Sequence, residues 1–312
     1  MMALHEAVLE GDLRLLRSWR LFDLAGADPQ RITVDRTPAD PSRPAQRFEV
    51  IKRDGRWMME APFRTRVDQG VVTALLGALS RVEHARFADE QPEDLALFGL
   101  ERPIASIEVA SARAGTLGSG ADSAGATATP LRIERVEIGT ALAQGGSICA
   151  RRTDRPPIVL LDQTALAALL PAAEAFADPR PTALRPEDIR SIRIRDPQGA
   201  LRVQLDRTID GWFVSRGDDQ SKQAAHLPAL AMLIERLVES RATELALHPM
   251  PQELLLASIE LVPTSGSPSV IRVAREGDGG RWALDESDDV LRIFPPSFAL
   301  PLSAQEFGLV GE

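Results

Sequence analysis

Between Phe48 and Phe87 the hydrophobic period of the chain changes once, from two residues to three or four. Phe48, Val50 and Lys52 alternate with Glu49 and Ile51, the period of a strand with one covered face. Asp54-Gly55 tolerates the positive φ angles of a tight hairpin turn, and Trp57 and Met59 share one face of the returning strand. Pro62 cannot donate to a ladder and ends it. Asp68 then reads as an N-cap, because its carboxylate can accept from the free amides of a first helical turn. Val72, Leu75, Leu76, Leu79 and Val82 recur at steps of three and four, so they line one side of a helix. The nearest surface for that stripe is the Trp57 face of the hairpin.

The same succession returns later in the chain. Ser191 to Arg195 matches the short strand Ile32-Thr33-Val34, and Leu201, Val203 and Leu205 match the Phe48 strand. Asp210-Gly211-Trp212 repeats the turn and its tryptophan. Leu230, Leu233, Ile234, Leu237 and Val238 predict a second helix, with Pro228 near its first turn, where a missing N–H is harmless. Ala257-Ser258-Ile259-Glu260-Leu261 echoes Ala105-Ser106-Ile107-Glu108-Val109, and the Trp and Ile pairs are separated by nearly equal lengths of chain. That agreement predicts a tandem duplication.

The expected fold is therefore α+β, with two related halves in tandem over residues 20–178 and 179–312. Each half is expected to be a mainly antiparallel twisted sheet with one principal amphipathic helix packed on it. Residues 1–19 read as an amphipathic lead-in helix, through Leu4, Val8, Leu13, Leu16 and Trp19. Residues 110–130 lack large apolar side chains and read as a mobile surface insertion. Strands are expected at Leu131 to Ile138, ended by Gly139, then at Ser147 to Ala150 and Ile158 to Leu161. A helix follows over Thr164 to Ala177, and Asp178-Pro179-Arg180-Pro181 reads as the joint between halves. The expected core hallmarks are Trp57, Leu76, Leu79, Gly99, Leu100, Pro103 and Gly139, with Trp212, Leu233 and Leu237 in the second copy.

Composition narrows the classes of function. Apolar residues make up 44% of the 312 positions, enough to build a core. A net charge of −9 argues against a nucleic-acid binder, and only 4% aromatic content leaves few stacking platforms. No apolar run is long enough to span a membrane, and acidic residues interrupt any signal-peptide core near the start. The chain as written is expected to be soluble.

Chemistry-bearing residues are sparse. His5, His84, His226 and His248 stand at no metal-ligand spacing, and no cofactor motif occurs, so neither a metal nor a cofactor is expected. Cys149 lies in an apolar strand and reads as a buried, inert thiol. The acidic runs Asp89 to Asp94 and Asp285 to Asp289 lack the alternating order of a calcium loop and read as solvated loops. Arg151, Arg152 and Arg155 could receive an anion. Trp57 and Trp212 could line a groove, although core packing suits them better. No nucleophile–base set is visible, so no enzymatic activity is expected.

The order of Trp57, Pro62, Asp68 and Leu75-Leu76-x-x-Leu79 resembles a bacterial family known as domain of unknown function 4340. Asp94-Leu95, Phe98-Gly99-Leu100, Pro103, Val136-x-Ile138-Gly139, Gly146 and the Arg180 to Ile189 junction extend the resemblance across residues 20 to 302. Ile148 stands where a tyrosine is usual, and the 110–130 insertion is long. The resemblance implies an extracytoplasmic protein with an N-terminal membrane anchor, a span that this sequence lacks. Without such an anchor a cytoplasmic location is expected. Encoding beside gliding-motility-type ABC transporter subunits is also implied, so the partner would be a protein such as a permease or auxiliary subunit. The expected function is thus a non-catalytic accessory or scaffold protein of such a transporter at the cell envelope. The alternative is a solute- or glycan-binding module using the cleft between the two halves.

Overall fold

A computed structural model describes residues 20–38, 42, 45–82, 86–112, 131–141, 146–217, 222–247, 250–276, 280–286 and 288–309. Its strands form two sheets. In chain order the elements of the first are β1 (Asp28–Arg36), β2 (Gln46–Arg53), β3 (Arg56–Ala61), β4 (Thr65–Arg66), α1 (Gln69–Arg81), β5 (Arg86–Asp89), β6 (Ala105–Ala112), β7 (Arg132–Ala141), β8 (Ser147–Arg152) and β9 (Ile158–Asp162). A short α2 (Ala165–Leu169) follows. The second set is β10 (Ile189–Arg195), β11 (Leu201–Thr208), β12 (Gly211–Ser215), β13 (Gln223–Ala224), α3 (Leu227–Val238), β14 (Glu244–Ala246), β15 (Leu255–Pro263), β16 (Ser269–Arg275), β17 (Trp282–Asp285) and β18 (Leu291–Phe294).

The nine-stranded sheets have one topology. The first runs β4-β3-β2-β1-β6-β7-β8-β9-β5, and the second runs β13-β12-β11-β10-β15-β16-β17-β18-β14. The assigned registers are antiparallel, and they match as well as the order does. Ile32 lies opposite Val50 and Val109, while Ile192 lies opposite Leu205 and Leu261. Trp57 stands opposite Lys52 and Trp212 opposite Arg207, at the same rung of each hairpin. The two-residue period puts Ile32, Val34, Phe48 and Val50 on one buried face, and Ile192, Ile194, Val203 and Leu205 on its counterpart.

By compactness the chain divides into two units, Met1–Pro62 with Val67–Phe176 and Phe63–Arg66 with Ala177–Glu312. In the first, α1 is capped by the Asp68 carboxylate, which accepts from the Gly70 amide, and it buries Val72, Leu75 and Leu79. The Gln69 side chain ties this helix to the hairpin, accepting from the Trp57 amide at 3.0 Å and donating to its carbonyl at 3.2 Å. In the second, Leu230, Leu233 and Leu237 of α3 join one cluster with Ile192, Ile194, Val203, Leu205 and Trp282. The Trp212 carbonyl accepts from the Ala225 amide, just ahead of that helix.

Several expectations change. Strand outweighs helix, and Thr164 to Ala177 forms α2 and a separate 3-10 turn at Ala173–Phe176 in place of one continuous helix. Gly139 does not end its strand, because β7 continues to Ala141. Its missing Cβ serves packing: a side chain there would overlap the Phe98 carbonyl oxygen. Strands β5 and β14 follow the two long helices without any alternating pattern to announce them. The lead-in helix of residues 1–19 and positions 113–130 of the expected insertion lie outside the described residues.

The expected hallmark residues have definite places. Trp57, Leu79 and Leu100 are buried, as are Leu233 and Leu237. Leu76, Pro103 and Trp212 are half-buried. Gly99 closes the 3-10 turn Ala96–Phe98 with a left-handed φ of 66°.

Candidate functional site

In the first unit a cavity of about 400 Å³ opens beside the loop between β8 and β9. Its described wall comes from the segment ahead of β1, from β5 and the residues after it, and from the end of β8, the β8–β9 loop and the start of β9. Leu21, Phe87, Pro156, Pro157 and Val159 give an apolar lining, and Arg20, Arg152, Arg155, Glu90 and Gln91 add polar groups. Its size and its mixture of apolar walls with a few convergent polar groups are those of a small-ligand site.

Arg152 is a buried cation of the wall. Its guanidinium donates twice to the Asp154 carboxylate, at 2.8 Å each, and once to the Leu21 carbonyl at 3.2 Å. The buried Glu134 carboxylate lies 3.6 Å from it and also accepts the Asp23 amide at 2.9 Å. Hydrogen bonding to Asp154 holds Arg152 protonated above its already high ordinary value, against the opposing effect of burial. The same hydrogen bonds hold the Asp154 carboxyl below the usual carboxylate range. Asp154 is itself largely exposed, so water competes for it. Arg155 is exposed at the tip of the loop.

The arginine triplet read from the sequence therefore divides. Arg152 and Arg155 reach the cavity, whereas Arg151 pairs with Glu137 at 2.7 Å, as alternation along a strand requires. Arg20, Phe87 and Glu90 carry no local sequence signal as wall residues, because only the folded sheet brings them to the loop. The acidic run Asp89 to Asp94 is a capped loop. Asp89 accepts from the Gln91 amide and Asp94 from the Ala96 amide, while Glu90 faces the cavity. Cys149 is fully buried with Leu100, Ile158 and Leu160, and burial pushes its thiol up from the ordinary value.

The second unit places a different arrangement beside the loop between β17 and β18. The run Asp285 to Asp289 was expected to be solvated, and here the structure differs. Asp285 is buried, Glu286 pairs with Arg66, and Asp288 pairs with the fully buried Arg292 at 2.8 Å. Arg66 reaches Asp178 at 3.0 Å, and Thr65 donates to Asp288 at 2.7 Å. Asp178, expected in a linking joint, is buried and also accepts from Arg180 at 2.9 Å. Burial alone would raise the carboxyls of Asp178 and Asp288. The surrounding guanidinium groups and hydrogen bonds outweigh it and hold both below the usual range.

Among the described residues, no group of three or more His, Cys, Asp or Glu is placed to hold a metal ion. No described helix is long and apolar enough to cross a membrane. The family described as "Domain of unknown function (DUF4340)" matches residues 57–255. The chain belongs to that family. Neither the comparison with curated proteins nor that with solved structures gave a match. The DUF4340 match begins at Trp57 and includes most of the cavity wall, from Phe87 to Val159, but not Arg20 and Leu21.

Proposed function

We propose that this protein binds a partner through the first unit and catalyses no reaction of its own. The ligand presents a carboxylate on an apolar body. One observation carries the reading: the cavity of about 400 Å³ combines an apolar lining with Arg20, Arg152, Arg155 and Glu90 among its described wall residues. An anion entering it exchanges hydration for guanidinium partners, and its apolar body covers Phe87 and Val159. Such a protein serves as an accessory or scaffold, and the family resemblance suggests a component of an ABC-type transporter at the cell envelope as the partner.

The reading is tested by titrating hexanoate and hexan-1-ol into the isotopically labelled protein. Hexanoate is expected to move the backbone amides of Phe87, Gln91 and Val159, and the alcohol to move them far less. Equal effects from both, or shifts confined to other residues, would overturn it.

A further inference from the structure

The registers of the two sheets allow the cavity to be matched, residue for residue, with its counterpart. Arg152 lies opposite Val136, which lies opposite Ile107. In the second sheet, Ile259 lies opposite Ile271, one residue before the Arg272 that faces Asp285. The counterpart of Arg152 is therefore Glu286. Along the neighbouring strand, Val159 faces Ala150 and Arg292 faces Leu284, so Val159 corresponds to Arg292. Glu134, beside Arg152, corresponds to Ser269, which hydrogen-bonds Glu286. Arg20 and Arg180 stand equally far ahead of the matched Ile32 and Ile192.

In the second unit this place is occupied. Phe63–Arg66, which ends in the short strand β4, lies there. Its backbone is gripped at both ends: the Asp289 amide donates to the Arg64 carbonyl, and the Asp178 amide donates to the Arg66 carbonyl, both at 2.9 Å. The Arg64 amide donates to the Asp289 carboxylate at 2.7 Å. Phe63 and Thr65 are buried, and Arg66 pairs with Glu286. In the first unit the same place is the cavity, and the charge at the gripping position is reversed, with Arg152 where the other has Glu286.

We infer that the cavity of the first unit receives an extended segment of a partner protein bearing acidic side chains, the charge-inverted counterpart of Phe63–Arg66. This rests on the reading of the cavity as a carboxylate site and names what carries the carboxylate. Counted from the matched Arg152 and Glu286, Asp154 stands where Asp288 does and Arg155 where Asp289 does, so the loop's charge is inverted at Arg155. Charge complementarity selects the acidic segment, and the apolar lining of the cavity takes an aromatic or aliphatic side chain beside it.

The probes are acetyl-Phe-Glu-Thr-Glu-amide and acetyl-Phe-Arg-Thr-Arg-amide, titrated by NMR into the full chain. The acidic peptide is expected to move the amides of Phe87 and Val159 and to bind at least about tenfold more tightly than the basic one. Arg155→Glu, at an exposed position, is expected to remove most of that preference. Glu134→Ser combined with Arg152→Glu copies the second unit's pair and is expected to reverse it. If that double variant does not fold, Arg155→Glu alone decides. Binding of hexanoate without binding of the acidic peptide would overturn the polypeptide reading and leave the cavity as a carboxylate site. Failure of both would remove the two together. Equal binding of the two peptides would also overturn the inference.

Discussion

The two units share a strand order and a register, yet treat one corner in opposite ways. At the β17–β18 corner an acidic loop pairs with Arg66 and Arg292, and the Phe63–Arg66 backbone is hydrogen-bonded against it. At the β8–β9 corner an arginine-bearing loop borders a cavity. The common framework fixes where the corner is. The side chains that differ on it decide whether the corner is packed with ion pairs or borders a cavity. Buried charges at the first corner are paired with one another among the described residues of that unit, so removing one is felt as instability. At the second, Asp154 is more than half exposed, so its loss should act on recognition more than on stability.

The sharpest way to break this contrast is Arg292→Met. It leaves Asp288 without its guanidinium partner in a buried setting, a loss of about 3–5 kcal/mol for such pairs. Chemical denaturation, followed by hydrogen exchange resolved to β15–β18, should place the loss in the second unit. Exchange that changes equally in β6–β9 would contradict the division.

Acid should act in the same direction, less severely. Asp178 and Asp288 have folded-state values below their unfolded ones, so the stability they contribute is complete above about pH 4 and fades as pH falls through the folded values. Hydrogen exchange between pH 5 and 2 should therefore accelerate first around Phe63–Arg66 and the β17–β18 loop. An unchanged order of exchange across that range would count against the ionic account.

The smallest effect on stability is expected from Asp154→Asn, within about 1 kcal/mol. The same change releases the Arg152 guanidinium from its bidentate partner, so the acidic tetrapeptide should bind more tightly. Weaker binding would mean that Asp154 positions Arg152 for the ligand and does not compete with it.

The framework was legible because its signals are local. The alternation of Phe48 and Val50, the Asp54-Gly55 turn and the three-and-four spacing of Leu75 and Leu79 each specify an element from neighbours in sequence. Asp54 does take the positive φ, 49°, that its turn requires. The cavity was legible only in part. Arg152 and Arg155 stood out as clustered cations, but Arg20, Phe87 and Glu90 come from distant segments that long-range pairing brings to the same loop. β5 and β14 escaped notice because four-residue and three-residue strands hold too little alternation to read. The acidic run at Asp285 misled for a related reason. Composition alone suggests solvation, and its cationic partners Arg66 and Arg292 come from elsewhere in the unit.

Cys149 gives the protein a native clock. The chain's single thiol lies fully buried in β8, beside the strand that forms the cavity wall, and burial disfavours its reactive thiolate. A maleimide can reach it only when that part of the sheet opens, so the labelling rate measures opening without any engineered residue. A ligand seated against Val159 should slow the clock, whatever its chemical identity.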